Sequence, residues 1–237
     1  MKILQGGFVM KQTYELNREF KQLLAGNTEA FRNIYLLTVN DVYFHVKQII
    51  QNQGEIERMI VKIYKSMFIR LDQLERVEDS VKWMNRIMYM HLFDWVSIHC
   101  AGMLMDEELG RYDNLVPVVN TGSSQMLTDA ETAILASRYF EHLLPIHALA
   151  GLAYFYDGLE MELISELFHC DDDVINKRTR YVTLLIDGYC KDYANENDLE
   201  IKNIDISLLL LSYVLLFKDT VIPNPDEVYY KIVQELQ

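Results

Sequence analysis

The chain has 237 residues, of which 50% are hydrophobic and 24% are charged, and its formal net charge is −13. This length allows one domain or two smaller ones, and an aromatic content of 11% excludes a disordered acidic tail. All the surplus acid falls in the second half, because residues 101–237 carry 9 basic and 24 acidic side chains.

The cysteines and the apolar segments indicate the compartment. Cys100, Cys170 and Cys190 are odd in number and widely spaced, which is typical of thiols in a reducing cytosol. The first ten residues lack the continuous apolar stretch of a secretory signal. The longest apolar run, Ile206–Phe217, is shorter than the roughly 20 residues that span a bilayer. We therefore expect a cytoplasmic protein with no membrane partner.

Helical periodicity dominates the chain and strand-like alternation is scarce, so the sequence predicts an all-α protein. The expected helices cover residues 14–24, 28–51, 55–73, 78–100, 128–143, 146–156, 162–168, 172–189, 204–218 and 226–236.

Between Ala101 and Met126 the helical pattern lapses into stretches that favour irregular backbone. This lapse predicts two helical domains joined by a flexible linker. The predicted boundaries are 1–100 for the first domain, 101–127 for the linker, 128–190 for the second domain and 191–237 for a C-terminal helical extension.

A helix-turn-helix is predicted between Gly158 and Leu185. Residues 162–168 form its short first helix, Asp171 supplies a cap, and the helical pattern resumes at Val174. A unit of this kind commonly places its second helix in the major groove of DNA.

Two ordered sets of residues lead to a known family. The first set is Gly26-Asn27-Thr28-Glu29-Ala30-Phe31, Ile34-Tyr35, Val42-Tyr43, Ile56-Glu57-Arg58, Tyr64, Phe68, Trp83-Met84-Asn85-Arg86-Ile87 and Asp94. The second set is Leu144-Pro145, Gly158, Glu162, Ile164, Val174-Ile175 and Arg178. In order and spacing they resemble regions 2 and 4 of bacterial sigma factors of the extracytoplasmic-function type, over residues 15–190.

The resemblance implies a transcription initiation factor that docks on RNA polymerase core and directs promoter recognition. Its polymerase-binding positions are Glu57, Arg58, Val61, Lys62 and Tyr64. The family usually carries acidic and Gln-Glu residues where Arg58 and Val61-Lys62 stand. This chain therefore changes the charge at a charge-complementary contact.

In the first domain the resemblance implies promoter contacts by Arg86, Tyr89 and Trp95. Aromatic rings can stack on the unpaired bases of a melted strand. The alternative is that Met88, Phe93 and Trp95 are core or interface residues at helical spacing.

In the second domain the resemblance implies promoter contacts by Asn176, Lys177, Arg178 and Arg180. Together with Asp173, three of these recur at steps of three and four residues, so they share one face of a helix. The alternative is that Asp173 and Lys177 form a surface ion pair of only a few tenths of a kcal/mol.

The charge of the second domain opposes DNA binding. Asp171, Asp172 and Asp173 stand at the start of the predicted recognition helix, and residues 144–190 contain three basic and eight acidic side chains. Contact with DNA depends on neutralising phosphates. Two functions therefore stay open: an initiation factor that reads promoter DNA, and a regulator that keeps the sigma scaffold but acts only through protein partners.

The remaining motifs are sparse. Residues 191–237 extend beyond the resemblance, and the apolar run Ile206–Phe217 must be buried, either against the second domain or a partner or as part of the domain core. A partner such as an anti-sigma protein is also compatible with the resemblance. His99-Cys100 and His169-Cys170 do not point their side chains together on a helix, so no metal is expected. Neither an enzyme nor a cofactor is expected, since no phosphate loop, metalloprotease helix or nucleophile elbow is present.

Overall fold

A computed structural model describes residues 8–100, 143–196 and 221–237. All regular structure in these residues is helical, which confirms the predicted all-α class. The described α-helices are α1 (Phe8–Leu24), α2 (Ala30–Ile49), α3 (Gln53–Ile69), α4 (Ser80–His99), α5 (Pro145–Gly151), α6 (Met161–Leu167), α7 (Asp172–Glu196) and α8 (Pro225–Leu236).

Part of the predicted organisation cannot be compared with the described residues. The predicted linker at 101–127 and the helix expected at 204–218 lie outside the described residues, as does the helix expected at 128–143 except for its last residue. No helix in the described ranges is long and apolar enough to cross a membrane.

The chain divides into two compact units, and the division falls within α4. The first unit comprises residues 1–91 together with 220–237, and the second comprises residues 92–219. The first unit thus combines the N-terminal helices with the end of the chain.

An aromatic core joins α2 and α3 in the first unit. The ring centroids of Tyr35 and Tyr64 are 4.9 Å apart, and those of Phe31 and Phe68 are 5.0 Å apart, both with edge-to-face geometry. Edge-to-face aromatic pairs of this kind add to the stability that apolar burial provides.

A local signal fixes the start of α3: the Asn52 side chain accepts a hydrogen bond from the Glu55 backbone N–H.

The C-terminal helix α8 packs on α2 and α3 of this same unit. Asn224 adopts the left-handed conformation with φ 52°, and Pro225 begins the helix. Proline suits the first position of a helix, because its fixed φ is helical and the N–H that it lacks has no partner within the helix there. The aliphatic side chains of Val228 and Ile232 are fully buried, whereas Tyr230 is 61% exposed. This amphipathic pattern orients α8 with one face on the unit and one face outward.

In the second unit, α5 and α6 both pack on the long helix α7. Helix α5 continues as a π-helix at Leu152–Tyr156, and α6 is joined to α7 by residues 168–171. The described part of α7 runs to Glu196, past the expected end at Tyr189, because the intervening residues contain no proline or glycine that would end a helix.

Candidate partner-binding surfaces

Of the five positions that the resemblance assigns to polymerase, two are exposed. Arg58 and Lys62 project into solvent on α3, whereas Val61 is buried. Tyr64 is wholly enclosed, and its Oη is hydrogen-bonded to Thr38 Oγ1 at 2.7 Å. Burial raises the pKa of the Tyr64 phenol well above its usual range. Tyr64 therefore acts in the core of the first unit and offers no surface to a partner in this structure.

The fifth position, Glu57, is paired with the C-terminal helix. Lys231 Nζ of α8 donates to Glu57 Oε2 at 3.0 Å, and it also lies 3.0 Å from Glu227 Oε1 one turn earlier on α8. Hydrogen bonds to Glu227 and Glu57 raise the pKa of Lys231, so the ammonium group stays charged. The predicted polymerase-binding surface of α3 is thus partly occupied by the chain's own end.

Two further ion pairs flank this contact. Arg32 Nη2 of α2 donates to Asp226 Oδ1 at 2.9 Å, and Lys65 Nζ of α3 donates to Glu235 Oε2 at 3.1 Å. Positions 226, 231 and 235 of α8 are therefore acidic, basic and acidic in turn. Each of them faces a side chain of opposite charge on α2 or α3. We call the surface formed by Arg32, Glu57 and Lys65 the α2–α3 groove.

Neutral contacts seat α8 in the α2–α3 groove as well. Tyr35 Oη donates to the Pro225 carbonyl oxygen at 2.8 Å, and Asn40 Oδ1 accepts from the Ile222 backbone N–H at 3.2 Å. The ring of Tyr229 lies 5.2 Å from that of Tyr35. Sequence reasoning predicted this helix but not its packing partner.

The positions on α4 to which the resemblance assigns promoter contacts differ in accessibility. Arg86 is exposed, whereas Tyr89 is fully buried with its ring 6.0 Å from His45. Trp95 is half-buried and stacks on His99 at 4.4 Å with an interplanar angle of 14°. Tyr89 is therefore a core residue in this structure and cannot stack on a base there. Met88, which the alternative placed in the core, is buried as well.

On α7 the polar face is partly as expected. Asn176 is exposed, Arg180 is half-buried, and Lys177 Nζ lies 3.0 Å from Asp173 Oδ2 in the expected ion pair. Arg178, however, is buried inside the second unit, with 6% of its surface exposed. A side chain in that position is not available for phosphate or guanine contacts.

The acids at the start of α7 are on the surface. Asp171, Asp172 and Asp173 are all exposed, and Asp172 and Asp173 fall in the first helical turn. Acids at this end complement the helix dipole. The end of α7 that the resemblance would bring to DNA thus presents three carboxylates.

Arg178 lies close to a buried histidine. Burial and the charge of Arg178 lower the pKa of His147 on α5 to about 4. The His147 ring packs 4.7 Å from Tyr181 of α7. The neighbourhood of Arg178 is therefore the interface of two helices.

Replacing Arg178 with Ala is expected to lower the free energy of unfolding of the second unit by about 1–3 kcal/mol, because the aliphatic part of its side chain is packed. Lys177→Ala is the matched control; it removes one exposed ion pair and should cost under about 0.5 kcal/mol. Urea unfolding of both full-length variants measures the difference. Equal costs would contradict the burial of Arg178.

The described residues hold no group of three or more His, Cys, Asp or Glu side chains arranged to bind a metal ion. His169 has a positive φ of 50° in the turn before α7, and the rings of His169 and Phe93 lie 5.9 Å apart.

Comparison with known proteins adds no relative to this description. No protein-family model matches the sequence, and no curated protein is significantly similar to it.

Proposed function

We propose that this chain is a sigma-like factor that docks on RNA polymerase core through its first unit and acts in transcription initiation. The observation that carries the proposal is the convergence of residues that carry the resemblance. Phe31, Tyr35, Tyr64 and Phe68, on two helices, form one aromatic core. Trp83 joins the same unit through an edge contact with Phe20 at 5.9 Å.

The exposed part of α3 supports a docking role. Arg58 and Lys62 lie one turn apart on a surface that the resemblance assigns to the polymerase. Their positive charge differs from the family's pattern, so we expect them to select an acidic counterpart on the partner. Because a fold does not by itself determine function, the test of this role is direct binding.

A second candidate is a regulator that docks on the polymerase or on another transcription protein without reading the promoter. The observation that favours it is the surface of α7, where three exposed aspartates precede a buried Arg178. Phosphate neutralisation supplies most nonspecific DNA affinity, and this surface opposes it.

Reconstitution of the full-length protein with RNA polymerase core tests both candidates. An initiation factor is expected to bind core and to direct transcription from a selected subset of promoter sequences. The regulator is expected to bind core, or to inhibit transcription by another sigma factor, without selecting promoters. Absence of core binding would refute the initiation-factor proposal.

The acids of α7 provide a separate test of DNA contact. Asn retains the capping oxygen of Asp, so the variant Asp171→Asn/Asp172→Asn/Asp173→Asn removes three charges without removing helix caps. We expect its affinity for duplex DNA to rise several-fold at low salt and the gain to vanish at high salt. Fluorescence anisotropy at two salt concentrations measures this gain. A loss of affinity instead would mean that these carboxylates accept hydrogen bonds from bases.

A further inference from the structure

Helix α8 lies along the face of α3 that contains part of the predicted docking surface. Glu57 and Lys65 contact α8 and are separated by eight residues, which is two steps of four along one helix face. Val61 lies midway between them on that face and is buried. Arg58 and Lys62 fall on the adjoining, exposed side. Helix α8 therefore engages Glu57, one of the five positions that the resemblance assigns to the polymerase, beside the exposed Arg58 and Lys62.

Apolar burial supplies most of the free energy that holds α8 on α2 and α3. The side chains of Val228 and Ile232 are fully buried and supply the apolar contact. Two of the three ion pairs of the α2–α3 groove are exposed and the Lys231–Glu57 pair is partly buried, and pairs that water reaches contribute little to stability. The charges therefore set the register of α8, while the apolar contacts hold it.

These contributions are opposed by the cost of ordering the segment. Ordering the backbone costs conformational entropy, and a 12-residue helix is marginal by itself in water. In the described structure α8 has one buried stripe and an outer face that includes Tyr230. Such a helix is suited to reversible seating, because competing contacts of similar size can replace it.

We propose that α8 is an autoinhibitory occupant of the α2–α3 groove, and that it must leave before RNA polymerase core docks on α3. This inference rests on the proposed function of the first unit. The partner that fits the vacated groove is an amphipathic helix on the polymerase, with an aliphatic stripe flanked by acid, base and acid in the order of Asp226, Lys231 and Glu235. Such helix-in-groove recognition uses the same physical contacts that α8 now makes.

Two neighbouring tyrosines provide a matched test in the full-length protein. Tyr229 packs on the rings of Phe31 at 6.3 Å and Tyr35 at 5.2 Å, whereas Tyr230 faces solvent. If α8 covers the groove in 90–99% of molecules, its release raises the apparent affinity for core by roughly 10- to 100-fold. We expect this gain for Tyr229→Ala and no change for Tyr230→Ala.

A synthetic peptide of residues 221–237 tests the groove without the polymerase. Labelled peptide is expected to bind Tyr229→Ala more strongly than the wild-type chain, in which the groove is filled, and excess peptide should reduce core binding. Hydrogen exchange of α1, which packs on α2, is expected to be unchanged in Tyr229→Ala, which would show that the unit remains folded.

The outcomes separate the two proposals. Core binding that is equal in the wild-type protein and in Tyr229→Ala would overturn autoinhibition and leave the docking function standing. If no form binds core, the docking function fails and autoinhibition fails with it, while peptide binding would still identify the groove as a helix-binding site. Failure of the peptide to bind Tyr229→Ala would overturn the groove as a site for any helix.

Discussion

Replacing Phe31 with Ala is expected to lower the free energy of unfolding of the first unit by about 3–5 kcal/mol. Phe31 is 4% exposed, and its ring lies between those of Tyr64, Phe68 and Tyr229 at 6.4, 5.0 and 6.3 Å. Truncation leaves a cavity where α2, α3 and α8 meet. The effect should thus appear as faster hydrogen exchange in all three helices.

Leu36→Ala is the control for Phe31→Ala. Leu36 lies on the same helix but is 47% exposed, so its truncation should cost under about 1 kcal/mol. Native-state hydrogen exchange is the suitable measurement, because a chain with two units need not unfold in one step. Equal effects of the two truncations would show that Phe31 does not join the helices.

The second large effect is a loss of stability of the second unit as the pH falls. The pKa of His147 is about 4 in the folded protein, against a usual value of about 6.5. Between these values the unfolded chain binds a proton that the folded chain does not, so stability rises with pH. The difference of about 2.5 units corresponds to about 3 kcal/mol, which is lost as the pH falls from about 6.5 to about 4.

The variant His147→Leu separates this effect from the titration of carboxylates. We expect the difference in unfolding free energy between wild type and His147→Leu to change by about 3 kcal/mol between pH 6.5 and pH 4, with the variant gaining relative stability in acid. Urea unfolding at several pH values measures it. A difference that stays constant with pH would show that His147 titrates normally in the fold.

Helix positions were predictable from the sequence because they depend on local periodicity. The helix expected at 28–51 is observed at Ala30–Ile49, and the one expected at 226–236 begins one residue earlier, at Pro225. The ion pair of Asp173 and Lys177 also followed from helical spacing.

The burial of Arg178 and Tyr89 was not predicted, although the spacing contained the signal. Arg178 stands three residues after Ile175 and four before Val182, so it falls on the buried stripe of α7. Its charge favoured assignment to the surface, but the position in the stripe decided its environment. Tyr89 is likewise three residues before the buried Leu92.

The packing site of α8 could not be predicted from the sequence. Its amphipathic pattern indicates a buried face but does not indicate which helices cover it. The contacts of Asp226 with Arg32 and of Lys231 with Glu57 join residues separated by more than 170 positions. Only the tertiary structure brings such residues together, and the groove and its charge order emerge at that level.

Hydrogen exchange of the full-length protein, with and without RNA polymerase core, tests the displacement of α8 most directly. If docking requires α8 to leave, the backbone amides of residues 225–236 will exchange faster in the complex, while those of α3 will be at least as protected as before. Unchanged or slower exchange of α8 in a complex that has formed would contradict autoinhibition by the C-terminal helix.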